Sequence, residues 1–447
     1  MAVEFESTNR GCDRVSFKEA LIRGQAPDRG LYTPVEVPRM GVSDLEGFSS
    51  MSYHEIARHL AMLFLEGEIP SEEVGRITRE AYDFDVPIEH VFDSAYVMRL
   101  DRGPTASFKD FAARMMARLM SYFLGEDDSE ALILTATSGD TGSAVANAFH
   151  GLENVRVVVL FPEKEVTGRQ RRQMTTLGGN VSTISVDGKF DDCQALVKRA
   201  FSDSSLDSLR LSSANSINFG RLLPQSFYYV YAYSRLAGEG DEIVFSVPSG
   251  NFGDLMGGIV AREMGLPVKR FVVATNENDE FPEFLKTGVY KPLRPSRACI
   301  SNAMNVGHPS NLARLFHVYG GWIDETGRVR ENPDVEAMRG DLWAVSVSDD
   351  ETRKTIKDAY ERHGLLLEPH GAVGWKALVD YLASEGGALS VSLETADPAK
   401  FPEEIESLLG FEPELPDSLK GLDDLEENVT PLENDYDSLR KFLQTMR

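Results

Sequence analysis

Lys109 is the residue whose type and surroundings most clearly suggest chemistry. It lies in the segment Ser-Phe-Lys-Asp at 107–110, which opens a largely apolar run, residues 108–124, without Gly or Pro. We predict that Ser107 caps a helix there and that Asp110 completes a variant capping box, so that Lys109 lies in the first turn. The helix dipole is positive at that end and disfavours a second positive charge. A neutral amine is a nucleophile suited to Schiff-base chemistry, whereas the alternative is an ordinary surface lysine paired with Asp110.

Two glycine-rich turns, residues 138–142 and 249–253, each follow a predicted strand and precede a predicted helix. Glycine before a helix N-terminus lets backbone N–H groups approach an anion. Neither turn matches a P-loop or a dinucleotide fingerprint, so nucleoside triphosphates and dinucleotides are disfavoured. Each turn alone could be a plain connector. Together with Lys109, however, they fit a cofactor that carries a phosphate, an aldehyde and a ring, which is pyridoxal phosphate.

The segments around these features resemble the threonine synthase family, in its branch with a long N-terminal extension. The matching blocks run in the family's order through most of the chain: 103–111, 135–142, 173–180, 191–198, 215–218, 248–254 and 395–401. The resemblance implies an α/β fold, with doubly wound parallel sheets in two pyridoxal-phosphate-enzyme domains of fold type II and an additional N-terminal domain.

The resemblance also implies a role for each matched cofactor residue. Lys109 would hold the cofactor as an aldimine and then act as general base and acid at Cα and Cβ of the substrate. Asp140 would lie beside the ring hydroxyl, where related enzymes often have Asn. Thr395 would face the pyridine nitrogen, and because a hydroxyl protonates that nitrogen weakly, the ring would be a moderate electron sink. The phosphate cup would comprise Ser249, Gly250, Asn251, Phe252 and Gly253.

Substrate-binding residues are predicted on the same basis. The carboxylate of the substrate would bind Ser107 and the first glycine turn, through Ser138, Gly139 and Thr141. For a substrate phosphate we predict Arg114, Asn218 and Arg221, because an anion in an acidic protein requires converging donors. Asn218 and Arg221 could instead be helix-start residues. The chain departs from the family at Asp397, where His would be expected, and this leaves the tuning around the ring open.

Composition favours a cytoplasmic enzyme. The chain has 447 residues, with 46 Lys and Arg against 71 Asp and Glu, and a formal net charge of −25. Such a charge disfavours nucleic acid and anionic membranes as partners, so we expect a small-molecule substrate and a monomer or homodimer. Three widely spaced cysteines suggest neither disulfides nor zinc, and His54 and His59 stand at the wrong spacing for a metal-binding helix. We predict no metal site, no secretory signal and no membrane span.

Three consecutive domains are predicted. Residues 1–92 would form the N-terminal domain, and residues 93–220 a smaller α/β domain carrying Lys109 and the first glycine turn. Residues 221–447 would form a larger α/β domain carrying the phosphate cup and a C-terminal helix at 436–445. From residue 131 onward, strand-like and helix-like stretches alternate, which indicates parallel sheets whose ligands lie beyond the carboxyl ends of the strands.

The resemblance implies conversion of O-phospho-L-homoserine and water to L-threonine and phosphate, in the biosynthesis of threonine. The reaction would proceed by γ-elimination of phosphate, addition of water at Cβ and reprotonation at Cα. One alternative is a related phospholyase that releases 2-oxobutyrate and ammonia. Another is a non-catalytic protein that binds a phosphate ligand, which the intact Lys109 and the two glycine turns disfavour.

Overall fold

The chain folds around two parallel β-sheets, one of five strands and one of six. The computed structural model describes residues 2–137 and 139–446, so the prediction made for Ser138 lies outside the described residues. No helix in this part of the chain is long and apolar enough to cross a membrane.

The N-terminal region is mainly helical and shares a hydrophobic core with the rest of the chain. Its elements are β1 (Phe5–Ser7), α1 (Phe17–Arg23), β2 (Tyr32–Pro34), α2 (Val42–Phe48), α3 (Tyr53–Leu65) and α4 (Ser71–Ala81). Helix α3 buries Ile56, Leu60 and Phe64 at the spacing of an amphipathic helix. The ring of Phe64 lies 6.0 Å from that of Phe219.

The α/β part of the chain begins with the β3–β4 hairpin and continues into the five-stranded sheet. The elements of this region are β3 (Ile88–Phe92), β4 (Ala95–Arg99), α5 (Lys109–Glu126), β5 (Ala131–Ala136), α6 (Asp140–Phe149), β6 (Val155–Pro162), α7 (Gly168–Thr175), β7 (Val181–Val186), α8 (Phe190–Phe201), β8 (Leu211–Ser212) and α9 (Phe219–Leu236). Strands β7, β6, β5 and β8 are parallel neighbours in that order. Every residue of β5 is buried, as in a strand covered on both faces.

The six-stranded sheet carries the second glycine turn. The remaining elements are β9 (Ile243–Pro248), α10 (Gly253–Glu263), β10 (Val268–Thr275), α11 (Glu280–Thr287), α12 (Leu312–Val318), β11 (Trp322–Ile323), β12 (Val329–Glu331), α13 (Val335–Asp341), β13 (Leu342–Ser346), α14 (Asp349–His363), α15 (Pro369–Glu385), β14 (Ser390–Glu394), α16 (Pro402–Leu409), β15 (Val429–Leu432) and α17 (Tyr436–Gln444). The strand order is β13-β10-β9-β14-β4-β3, parallel except for the β3–β4 hairpin.

Sheet membership departs from the predicted consecutive domains in two places. Strands β3 and β4 straddle the predicted boundary at residue 92, yet both belong to the six-stranded sheet, because β4 pairs with β14. The C-terminal strand β15 crosses back to pair with β7 at the edge of the five-stranded sheet. Helix α17 follows it and buries Leu439 and Leu443 in the core beneath that sheet. The C-terminal helix therefore packs with the sheet that follows Lys109, and not with the one that carries the phosphate cup.

Candidate active site

Lys109 lies in the first turn of α5, as the sequence predicted, but the helix begins at Lys109 itself and the predicted capping box is wrong. The hydroxyl of Ser107 is buried and has no hydrogen-bond partner among the described residues. The Asp110 carboxylate instead accepts hydrogen bonds from the backbone N–H of Thr105 at 2.9 Å and from its hydroxyl at 2.6 Å. Ala106 between them has a left-handed φ of 52°, a turn that brings Thr105 to Asp110. The helix also continues past the predicted end at residue 124 to Glu126.

The Lys109 amine lies in a mostly buried, polar environment. Its Nζ is 4.0 Å from Asp140 Oδ2, and the side chain is 14% exposed. Burial lowers the pKa of Lys109. The positive charges of Lys400 and Arg221 lower this pKa further, whereas the negative charge of Asp140 raises it. Lys109 therefore loses its proton, and becomes a neutral nucleophile, more readily than an exposed lysine does. The alternative of a surface lysine paired with Asp110 does not hold.

Asp140 lies between two lysines. Lys400 is fully buried, and its Nζ lies 2.6 Å from Asp140 Oδ1. The same Nζ donates to the Thr105 carbonyl at 2.9 Å, and Gln170 donates to Asp140 at 2.8 Å. Burial alone would raise the pKa of Asp140, but Lys400 and Lys109 together hold it well below its usual range. Asp140 is thus a carboxylate in the folded protein, and Lys400 is its nearest cation.

Lys400 is a site residue that the sequence analysis missed. The signal was a lysine inside the matched block 395–401, between Ala399 and Phe401. Asp397, the position that departs from the family, caps the short 3-10 helix Pro398–Lys400 by accepting the Ala399 N–H at 2.9 Å. This departure therefore helps to orient Lys400.

The second glycine turn forms a cradle of unpaired backbone donors. The backbone N–H groups of residues 250–255 have no acceptor in the part of the chain that the structure describes. These N–H groups continue into the first turn of α10, which begins at Gly253. A Cβ on Gly250 would come within 2.8 Å of Met304 Cα and 2.9 Å of the Ala303 carbonyl oxygen, so a side chain has no room there. Phe252 takes a left-handed φ of 60°, which bends the chain into the helix. This geometry binds anions.

The cradle is tied to neighbouring segments through the side chain of Asn251, and the buried Arg314 bonds to one of those segments. Asn251 donates to the Ser216 hydroxyl at 2.7 Å and accepts the Ser310 N–H at 2.5 Å. Arg314 donates to the carbonyl of Ile217 at 2.6 Å and has no carboxylate partner among the described residues. Burial lowers the pKa of Arg314 to about 9, which still leaves it cationic at neutral pH. Ser249 bonds to its own strand, at the Val247 carbonyl.

The first glycine turn has a similar form. Gly139 has a φ of 146°, and a Cβ there would lie 2.6 Å from the Gln170 side chain. Thr137 Oγ1 accepts the N–H groups of Gly139 and Gly142 at 3.0 and 2.8 Å. The N–H groups of residues 140 and 141 have no acceptor among the residues described, so they are available at the start of α6.

Thr395 follows β14 and is bonded to an acid that the sequence analysis did not single out. Its hydroxyl lies 3.2 Å from Glu368 Oε1. Glu368 is fully buried, caps the N-terminus of α15, and contacts His370 Nδ1 at 2.5 Å. No local sequence pattern marks Glu368 and His370 for this role. Glu368 comes close to Thr395 only because β14 pairs with β9 and α15 packs on both strands.

The three residues predicted for a substrate phosphate have different environments. Arg114 is ion-paired with Asp83 at 2.9 Å, which neutralises its charge. Asn218 is the N-cap of α9: it accepts the Gly220 N–H at 2.9 Å, and its amide donates to two backbone carbonyls. Asn218 is therefore a helix-start residue, which was the alternative to a role in phosphate binding.

Arg221 is the remaining member of that set. It is 3% exposed, donates to the Ala214 carbonyl at 2.6 Å and has no carboxylate partner among the described residues. Its Nε is buried and has no hydrogen-bond partner in the part of the chain that the structure describes. Burial lowers the pKa of Arg221 to about 10, and Arg221 in turn acts on the Lys109 amine. It is a buried cation whose charge acts on the Lys109 amine.

Comparisons with known proteins show the family to which the chain belongs. A family model described as pyridoxal-phosphate dependent enzyme matches residues 88–391. Models for the threonine synthase N terminus and for the C-terminal part of threonine synthase match residues 4–82 and 371–443. The chain belongs to the threonine synthase family. Pyridoxal phosphate is therefore its cofactor, and it is an enzyme.

Individual threonine synthases match over nearly the whole chain. That of Serratia marcescens is 40% identical over 433 residues, covering 96% of each protein. Among solved structures, the pyridoxal-phosphate-bound threonine synthase of Brucella melitensis has a TM-score of 0.92 at 36% identity, with 99% of both chains covered. That of Escherichia coli has a TM-score of 0.89 at 38% identity, covering 99% of this chain and 100% of the other. The predicted family, the fold class and the cofactor are confirmed.

Proposed function

We propose that this member of the threonine synthase family converts O-phospho-L-homoserine and water to L-threonine and phosphate. The observation that carries the proposal is the buried Lys109 amine at the start of α5, beside Asp140, in a chain that also has two turns of unpaired N–H groups.

Pyridoxal phosphate fits the residues present. The N–H groups of residues 250–255 suit its phosphate, and Gly250 leaves the cradle open where a Cβ would meet backbone atoms. Lys109 would hold its aldehyde carbon, Asp140 would lie beside its hydroxyl and Thr395 beside its pyridine nitrogen. When bound, the cofactor supplies the ring that accepts electrons from the substrate.

The chain itself supplies binding and proton transfer. The lowered pKa of Lys109 favours the neutral amine, which can take a proton from Cα or Cβ and return it. The hydroxyl of Ser107 and the N–H of Thr141, which have no hydrogen-bond partner among the described residues, are donors for the substrate carboxylate. Arg221, a buried cation without a carboxylate partner among the described residues, is our candidate for the substrate phosphate.

The test is product analysis with the purified, cofactor-loaded protein. Incubation with O-phospho-L-homoserine should release phosphate and threonine in equal amounts. Phosphate accompanied by 2-oxobutyrate and ammonia would identify the phospholyase instead, and cofactor binding without phosphate release would identify a binding protein. The Lys109→Ala variant, which lacks the amine, should release no phosphate.

We also propose a cytoplasmic location, with no nucleic-acid partner. The three cysteines are free thiols in the folded chain, which suits a reducing compartment. A monomer or a homodimer is expected, and sedimentation of the purified protein distinguishes the two.

A further inference from the structure

A backbone amide determines the direction of the hydrogen bonds around Thr395. The N–H of Ala303 points at His370 Nε2 at 3.1 Å. A backbone N–H can only donate, so Nε2 must be the nitrogen without a proton. The proton of the imidazole is then on Nδ1, which lies 2.5 Å from Glu368 Oε2. His370 therefore donates to Glu368.

Glu368 receives donors on both oxygens. Oε2 also accepts the His370 N–H at 2.7 Å, and Oε1 accepts the Gly371 N–H at 2.8 Å. Glu368 is the N-cap of the 17-residue helix α15, whose positive end stabilises an anion. Three N–H donors and a helix N-terminus favour the carboxylate form.

The neighbouring acid reinforces this assignment. Glu394 is fully buried and accepts the Glu368 N–H at 2.8 Å. Burial and the charge of Glu368 raise the pKa of Glu394 well above its usual range, while Arg99 opposes them and Asp101 adds to the increase. In this pair of acids the raised pKa favours the protonated form of Glu394.

The remaining lone pair of Glu368 Oε1 faces Thr395 Oγ1 at 3.2 Å. A threonine hydroxyl has one proton, and here that proton points at the carboxylate. Thr395 then offers only lone pairs to any other neighbour. A ring nitrogen without a proton would meet lone pairs, whereas a protonated nitrogen would donate a hydrogen bond.

We propose that Glu368, oriented by His370, fixes the Thr395 hydroxyl as an acceptor towards the cofactor, so that the pyridine nitrogen is bound in its protonated form. This rests on the proposed function only in placing Thr395 at that nitrogen. It replaces the expectation, drawn from the hydroxyl alone, that the ring is a moderate electron sink. Glu368 and His370 are positioning residues, because they act through Thr395.

The experiment is nitrogen-15 NMR of the protein reconstituted with pyridoxal phosphate labelled at the ring nitrogen, without substrate. The wild-type protein should show the chemical shift of a protonated pyridine nitrogen. In Glu368→Gln, the amide N–H₂ donates to Thr395, which frees the hydroxyl proton for the ring, and the signal should move to the unprotonated position.

The matched control is Glu394→Gln. Glu394 is equally buried and adjacent, but its side chain makes no hydrogen bond with the Thr395 hydroxyl among the described residues, so the nitrogen shift should stay at the wild-type value. An unprotonated nitrogen in the wild-type protein would overturn the proposal, even if Glu368→Gln proved too unstable to measure. A Glu368→Gln signal that stays at the wild-type position would overturn the role of Glu368.

The proposed reaction is judged separately. Threonine formed by a protein with an unprotonated nitrogen would refute this inference alone. A protonated nitrogen in a protein that forms no threonine would refute the reaction alone.

Discussion

Replacing Lys400 with Met should destabilise the protein strongly, because it removes the nearest cation from the buried Asp140 carboxylate. The Lys400–Asp140 pair at 2.6 Å corresponds to an attraction of about 6 kcal/mol at an effective dielectric constant of about 20. The Lys109–Asp140 pair at 4.0 Å corresponds to about 4 kcal/mol on the same scale and remains in the variant. Breaking a buried pair typically costs about 3–5 kcal/mol, and the remaining Lys109 places our expectation near 3 kcal/mol.

A double variant tests whether the cost comes from the uncompensated charge. Asp140→Asn alone should also be destabilising, since it leaves Lys400 fully buried without its counter-ion. Lys400→Met combined with Asp140→Asn removes both charges, so its loss should be smaller than the sum of the two single losses by about 3 kcal/mol. The assay is urea unfolding of the cofactor-free protein, followed by circular dichroism and tryptophan fluorescence.

An exposed pair in the same chain provides the matched control. Lys164 and Asp187 lie 3.1 Å apart, with side chains 79% and 74% exposed. The same cycle of Met and Asn substitutions there should give a coupling of about 0–1 kcal/mol. If the losses at Lys400 and Asp140 simply add, or if Lys400→Met costs less than about 1 kcal/mol, the buried pair does not stabilise the site as argued.

Three further predictions concern the cofactor and pH. Borohydride reduction of the loaded enzyme followed by peptide mapping should label Lys109 and no other lysine. Gly250→Val should weaken cofactor affinity at least tenfold, about 1.4 kcal/mol, because a Cβ meets backbone atoms there, whereas Gly340→Ala, with open space around it, should leave affinity unchanged. Burial raises the pKa of Glu280 to about 8, so the folded protein loses stability as pH rises from about 4.5 to about 8. Glu280→Gln should abolish that loss, which amounts to up to about 1.4 kcal/mol per pH unit in the free energy of unfolding measured with urea. Glu283→Gln, at an exposed position of the same helix, should leave the pH dependence unchanged.

Local sequence was sufficient to predict the elements that carry the site. The helix that begins at Lys109, the two glycine turns and the strands that precede them are encoded by neighbouring residues, and the structure has these elements in the predicted order. Helix α17, Tyr436–Gln444, agrees within one residue with the helix predicted at 436–445. The capping box failed because Ala106 adopts a left-handed conformation, which no local pattern in an Ala-Ser-Phe segment predicts.

Contacts between distant segments were beyond sequence reasoning. Lys400 meets Asp140 across 260 positions, and Glu368 meets Thr395 only once β14 has paired in the six-stranded sheet. The pairing of β15 with β7 in the five-stranded sheet was also not predictable from the local sequence. It depends on which sheet edge is open, and the pattern of a strand does not predict its partner.

The buried charges explain how an acidic protein can bind a phosphorylated substrate. The chain as a whole carries −25, which repels anions at long range. Near the Lys109 amine, however, Lys400 and Arg221 are buried cations, and Asp140 and Glu368 are carboxylates that act on the same amine. Lys400 is paired with Asp140, whereas Arg221 has no carboxylate partner among the described residues. Arg221 therefore leaves a positive charge in a region where low polarity makes it more effective than the screened surface charge. Asp140 offsets the charge of Lys400, and this gives a physical reason for Asp, rather than Asn, at a position beside a second lysine.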